Sequence, residues 1–420
     1  MEFNHKEVLK HTKVIDGKKD FGLYNTNIYK EPTTTIFEGE SSSSDISINI
    51  SVFERFERLF TTLDYLFESA AYAQEPIEVV ITDNSYTENL LELIPEKLNK
   101  YKKHFTRFVY HHDPHLIQST ARNRALQSLS NKDTEFYGQL DSDIYVSKSL
   151  VCTVLNYLRS HKNLSGCSTA LAGFKDSTID SNIDKFSNLK SVQIRKELMM
   201  PGEIGEEIGY WSKDSDFLQT TMIRGVMFYR RAVCELMNNG EPWSRHLTVW
   251  QNVGFNIELN ENRGQIGHII KEGVVALHDD RYDPCSVSNL RNLPQETVKS
   301  IILICLRNRM QRFKIHDRFE KFTMGSLQYL FKCSSQESMK ILNVCKLIAD
   351  IISQCEDVRE ASIESWKIIS SDELSTEIKV KMYEMIPSLF QSQVNYKSIK
   401  TFRSNNILQP IYHISNKIDY

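Results

Sequence analysis

The chain has 420 residues, enough for two domains or for one large domain with an appendage. A hydrophobic content of 40% with 25% charged residues supplies a sizeable core and excludes wholesale disorder. A net charge of −3 gives no broad basic footprint of the kind duplex-binding proteins carry, while leaving room for a small basic pocket.

Residues 1–44 are polar and end in the serine run Ser41–Ser44, which reads as an N-terminal extension with a flexible joint. From residue 45 strands and helices alternate. Ile46–Phe53 is rich in β-branched residues and predicts a strand. Arg55–Ala73 then sets Phe56, Leu59, Phe60, Leu63, Leu66 and Phe67 at helical spacing. Ile77–Asp83 reads as a second buried strand, followed by a stretch that is helical at its start, and Thr106–His112 as a third strand. Ser119–Leu129 begins a helix at a Ser or Thr cap, and a fourth strand runs through Glu135–Asp141. Repeated strand–helix–strand units predict a parallel sheet with helices on its faces. Ligands of such sheets bind beyond the carboxyl ends of the strands, where Asp83 and Asp141 fall.

From Pro294 to about Phe402 the pattern is helical throughout. Leu342, Cys345, Ile348, Ala349 and Ile352 form one apolar stripe, with similar stripes around Ile301–Leu306 and Met382–Phe390. A small bundle packed on the α/β core is the expected use of these stripes. A partner-docking face, including one for a homo-oligomer, and an interfacial membrane helix are the alternatives. The eight cysteines form no CxxC and match neither a zinc site nor a secreted disulfide framework, so buried free thiols are expected. MEFNHKEVLKHTK has no signal-peptide core, and no apolar run approaches the roughly 20 residues that span a bilayer. The expectation is a soluble cytoplasmic protein.

The chemistry centres on Asp141-Ser142-Asp143. Two like charges at a semi-buried strand end repel each other and resist desolvation, so water in a solvated turn or a cation must compensate. Paired hard oxygens suit Mg²⁺ or Mn²⁺, which keep positions open for substrate phosphates and stabilise a diphosphate leaving group.

ISINISVFER, IEVVITDNS, TARNRAL and FYGQLDSDIYVSKSLV together resemble the successive signatures of GT-A-fold glycosyltransferases, family 2 in particular. Ser51-Val52-Phe53-Glu54 loosely matches that family's first strand end, Thr82-Asp83-Asn84-Ser85 its second, and Ala121-Arg122-Asn123 its nucleotide-side helix start. The resemblance implies a Rossmann-like nucleotide-sugar-binding core with a mostly parallel sheet over residues 45–290, and a C-terminal all-helical domain over 291–420. It implies that Val52, Phe53 and Glu54 line the nucleoside pocket, that Asp83 accepts a hydrogen bond from the base, and that Arg122 lies near the base or phosphates. Asp143 would be the principal metal ligand, with Asp141 and Ser142 toward the ribose or sugar. Arg224-Gly225-Val226 would pass under the donor sugar, where a glycine lets the backbone approach. His278 would be the third metal ligand beside Asp141 and Asp143, with Asp279 and Asp280 as adjacent alternatives.

One departure stands out. Where the family places a carboxylate that deprotonates the acceptor, this chain reads Trp250-Gln251-Asn252, and amides cannot take a proton. Glu241, His246 and Glu258 are substitute bases. A relocated base, a retaining mechanism and loss of catalysis are the competing explanations, and the retained acidic pair with His278 favours an active enzyme. His111, His112 and His115 fit no standard ligand set and read as loop histidines. Met199–Phe217 reads as either a surface loop or a lid in which Tyr210 and Trp211 stack on a sugar.

The sequence thus predicts a metal-dependent glycosyltransferase using Mn²⁺ or Mg²⁺ and a nucleotide-diphosphate sugar. The acceptor is a glycan, lipid-linked precursor, peptide or modified nucleic acid. A catalytically impaired nucleotide-sugar-binding protein and a nucleotidyltransferase are the other readings. The latter calls for a glycine- and lysine-rich loop, which SVFERFERL lacks.

Overall fold

The computed structural model describes residues 13–15, 18–20, 32–85, 90–114, 116, 118–175, 178–190, 216–220, 223, 225–243, 251–261, 265–281, 294–310, 317–355 and 358–391. Two short strands, β1 (Lys13–Ile15) and β2 (Lys18–Asp20), pair with each other. The main sheet is built from β3 (Thr33–Glu38), β4 (Ile46–Val52), β5 (Ile77–Asp83), β6 (Phe105–His112), β7 (Phe136–Asp141), β9 (Leu164–Phe174), β10 (Phe217–Thr220), β11 (Val226–Arg230) and β12 (Gln265–Ile269). β8 (Ile144–Val146) and β13 (Val275–Asp279) branch from it through β9.

β7, β4, β5 and β6 lie side by side and all parallel, as the alternating pattern predicts. Every residue of β4 and β5 is buried, which is why both read as unbroken strands rather than alternating ones. Antiparallel pairs enter at the β3 edge and where β11 sits between β7 and β9, so the sheet is parallel from β7 to β6 and mixed beyond. β3 is a difference from the sequence reading. Within the presumed extension, Thr33–Glu38 pairs antiparallel along β6, and Ser41 Oγ donates to the Lys103 carbonyl at 3.1 Å. The run TTTIFE is β-branched and half-buried on alternate residues, which suits an edge strand.

Helices cover both faces. α1 (Phe56–Ala73), α2 (Leu90–Asn99) and α4 (Leu150–Ser160) bury Leu59, Leu63, Phe67, Ile94 and Val154 against Ile48, Ile50, Val79 and Ile81. On the other face lie α3 (Gln118–Arg124), α6 (Arg231–Leu236) and α7 (Gln251–Glu261), where Trp243 and Phe255 pack on Tyr137 and Tyr229. The predicted single helix over Ser119–Leu129 widens into a π-turn at Ala125–Leu129. A further short helix, α5 (Ile179–Ser187), follows β9.

Beyond the sheet, α8 (Pro294–Met310), α9 (Asp317–Phe331), α10 (Ser335–Gln354), α11 (Val358–Ser371) and α12 (Thr376–Gln391) gather around a core of their own. The three predicted stripes meet there, and Val253 of α7 joins them. The α10 start carries a capping box between Ser334 and Glu337. Cys152, Cys167, Cys234, Cys305, Cys333 and Cys345 are free thiols, and burial pushes the Cys305 thiol up to about 12. No helix among those residues is long and apolar enough to cross a membrane.

Candidate active site

The carboxyl ends of β4 and β5 are locked together before any ligand is considered. Asn84 N–H donates to the Val52 carbonyl at 3.1 Å, and Glu54 N–H donates to Ser85 Oγ at 2.8 Å. Glu54 pays for that turn with φ of +53°, a left-handed backbone that glutamate adopts rarely. Val52 is buried in the core and Phe53 is half-buried, so of the two only Phe53 presents surface. Asp83 differs from the expected base acceptor. It is fully buried; its Oδ1 accepts from Ser85 N–H at 2.9 Å and its Oδ2 from the Tyr110 hydroxyl at 2.5 Å. Burial raises its pKa even against those bonds. In this structure Asp83 ties the strand end through Ser85 and Tyr110.

Asp141 and Asp143 leave the end of β7 in different directions. Asp141 Oδ1 accepts from Arg122 Nη2 at 2.8 Å, and Arg122 Nη1 donates to Asn252 Oδ1 at 2.7 Å. Arg122 is only 1% exposed, so it bridges α3, β7 and α7 from inside instead of reaching for base or phosphate. Burial lowers its pKa, and the Asp141 charge opposes that. Ser142 is buried too, its carbonyl accepting from Thr62 Oγ1 at 3.0 Å. Asp143 faces the α1 start, where Arg55 pairs with its carboxylate. Burial alone would raise the Asp143 pKa, but Arg55, His278 and Arg58 outweigh it and hold the group below its ordinary value.

The end of β13 closes the site from the other side. His278 Nε2 stands 3.8 Å from Asp143 Oδ2, while its Nδ1 lies 2.6 Å from Asp280 Oδ1. The neighbouring Asp279 is not available as a ligand. It is buried and accepts from the Tyr145 hydroxyl at 2.8 Å and Arg281 Nε at 2.8 Å, while Arg58 Nη1 donates to its carbonyl at 3.2 Å. Gly225, with φ of +71°, gives its carbonyl to Asp141 N–H at 3.2 Å. A Cβ there would meet Leu171 at 2.9 Å and Ile144 at 3.1 Å, so packing as well as backbone conformation requires the glycine.

Among the described residues no three His, Cys, Asp or Glu side chains gather as a metal group, and Asp141, one of the three expected ligands, pairs with Arg122. A carboxylate oxygen and an imidazole nitrogen, Asp143 and His278, do converge. That donor pair fits a hard divalent ion that takes its remaining ligands from water and phosphate.

Of the substitute bases, Glu241 is half-buried, in a segment tied to α3 by Asn123 Nδ2 donating to the Trp243 carbonyl at 2.6 Å. His246, Arg224, His115, the Glu258 side chain and most of the 199–217 segment, Tyr210 and Trp211 included, lie outside the described residues. His111 and His112 are buried on β6 rather than looped, bonded to Thr34 Oγ1 at 2.8 Å and the Ser85 carbonyl at 2.9 Å. Sequence reasoning passed over Arg55 and Arg58, and named Asp280 only as an alternative ligand beside His278. Arg55 and Arg58 are three apart at the start of a helix that follows a strand end, a spacing that puts both on one helix face.

No protein-family model matches the chain, and no curated protein matches it. Among solved structures it is similar to S. aureus TarS 1–349, at 11% identity over 84% of this chain and 91% of that one, with a TM-score of 0.46. It is similar also to the mannosyltransferase PcManGT from Pyrobaculum calidifontis in complex with GDP-Man and Mn²⁺, at 10% identity over 89% and 90%, TM-score 0.41. GalNAc-T7 with UDP, GalNAc and Mn²⁺ aligns at 12% identity over 67% of this chain and 54% of that one, TM-score 0.40. At such values the chemistry has to be argued from this chain's own side chains. Its own architecture sets parallel strands in the order β7-β4-β5-β6, with an acidic turn after β7 and antiparallel β11 beside it.

Proposed function

We propose that the chain is a metal-dependent glycosyltransferase that moves a sugar from a nucleotide-diphosphate sugar to a nucleophile on an acceptor. The observation that supports it most is the meeting of Asp143 and His278 at the carboxyl edge of the parallel strands. Asp143 and His278 would hold Mn²⁺ or Mg²⁺. The ion, when bound, supplies Lewis-acid stabilisation of the diphosphate that departs.

The chain's own residues do the rest. Asp143 stays ionised because its pKa is depressed, so it can exchange its Arg55 partner for another cation without first losing a proton. Arg58 binds the Asp279 and Arg281 carbonyls, at 3.2 and 3.1 Å, and so holds β13 against α1. Phe53, half-buried at the end of β4, offers a face to a nucleoside. Asn252 accepts from Arg122 and takes no proton, so an acceptor is not deprotonated there. The roles of Asp83 and Arg122 are then to fix the strand end and the α3–β7–α7 junction on which the site stands.

The test is hydrolysis and transfer assayed with a panel of uridine- and guanosine-diphosphate sugars, with Mn²⁺ or with chelator, and product NMR to read the anomeric configuration. Turnover of one donor, lost on chelation and reduced at least about 100-fold in Asp143→Asn, is the expected result. Donor binding without turnover would favour the impaired sugar-nucleotide-binding reading. Turnover indifferent to both chelation and Asp143→Asn would remove the metal site.

A further inference from the structure

We propose that Asp280 is a positioning residue that fixes the His278 imidazole toward Asp143, and that Gly173 exists as a glycine to make room for it. The proposal rests on the metal-dependent reading given above. β13 runs parallel to β9 with His278 opposite Gly173. A Cβ built on Gly173 would fall 1.8 Å from Asp280 Oδ2, so the carboxylate occupies the volume any other residue would fill. Gly173 has no left-handed backbone to explain its identity, which leaves space as the reason.

The other carboxylate oxygen does the orienting. Asp280 Oδ1 lies 2.6 Å from His278 Nδ1, and Asp280 N–H donates to the Phe174 carbonyl at 3.0 Å, anchoring the carboxylate to β9. A carboxylate can only accept, so Nδ1 carries the hydrogen of that contact and Nε2 is the nitrogen left to face a metal. Nε2 is the nitrogen on the Asp143 side. A carboxylate behind a ligating histidine sets the ring's tautomer and rotation. The His278 and Asp280 side chains are 31% and 39% exposed, and pairs that open to water add little to stability. Their value is in orientation. The two adjacent aspartates thus divide the work: Asp279 is consumed by Tyr145, Arg281 and Arg58, while Asp280 serves the histidine.

Mn²⁺ alone, titrated into the full chain and followed by electron paramagnetic resonance, tests this. Asp280→Asn is expected to weaken Mn²⁺ binding about 10- to 100-fold and to remove the nitrogen hyperfine coupling of the imidazole, with the thermal midpoint unchanged. Gly173→Ala should do the same by displacing Asp280; if it does not fold, Asp280→Asn decides alone. Asp143→Asn separates the two levels of inference. Binding that Asp143→Asn weakens and Asp280→Asn leaves intact overturns the positioning role and spares the metal reading. Binding absent from the wild type, or indifferent to Asp143→Asn, overturns both. A loss in Asp280→Asn that comes with a fall in the thermal midpoint assigns Asp280 a merely structural role.

Discussion

Arg122 shows how far a residue's neighbours can change its meaning. In the sequence it sits in ARN, beside a strand that ends in acid, and a surface role toward an anionic ligand is the natural expectation. Its two partners, Asp141 and Asn252, stand 19 and 130 positions away, and no local pattern announces them. A buried guanidinium held by one carboxylate and one amide needs both. Asn252→Leu should therefore cost about 1–3 kcal/mol, read as a lower urea midpoint at unchanged slope, because it strands a charged donor inside. Asn252→Asp keeps an acceptor in place and should be far milder. Asp143 gives a prediction in pH. Burial pushes its pKa up, Arg55, His278 and Arg58 push it down further, and the folded value lies below the unfolded one. Its stabilising contribution is then whole above the unfolded pKa and is lost as pH falls through the lowered folded value. In chelator, the stability gap between wild type and Asp143→Asn should close as pH falls into the acid range.

At the level of elements, sequence and structure agree best where burial is continuous. IEVVITD was bounded at the same residues that form β5, since an unbroken apolar run between turn residues has few other uses. β3 was missed because an edge strand with one exposed face has only half the signal, and a serine run follows it. The structure gives that edge a sharp requirement. A Cβ on Gly39 would lie 1.8 Å from the Phe105 carbonyl oxygen, while Gly39 N–H donates to the Thr106 carbonyl at 2.8 Å. Gly39→Ala should detach β3 and expose the outer edge of β6 to hydrogen exchange, with β4 and β5 still protected. Retained protection along β6 would show that β3 holds without that contact. The π-turn after α3 was equally illegible, since one extra residue in a turn leaves the apolar spacing of ALQSL almost unchanged.

At the scale of the whole molecule, the strand–helix alternation and the later helical stripes carried the architecture, while the site's inner wiring did not show. The acidic pair, the histidine at a strand end and the glycine before β11 were each visible as residues. Their division of labour was not, because the arginines that distinguish Asp141 from Asp143 come from two different helices on opposite faces of the sheet. The feature with the widest consequence is the late arrival of β13. The parallel strands and their locked ends are complete by Asp141, yet His278 reaches Asp143 only after β9 has been laid down to carry β13 into place. A ribosome therefore emits the strands that end at Asp141 long before it emits His278. Chains cut short anywhere in between would carry Asp143 without the imidazole that faces it.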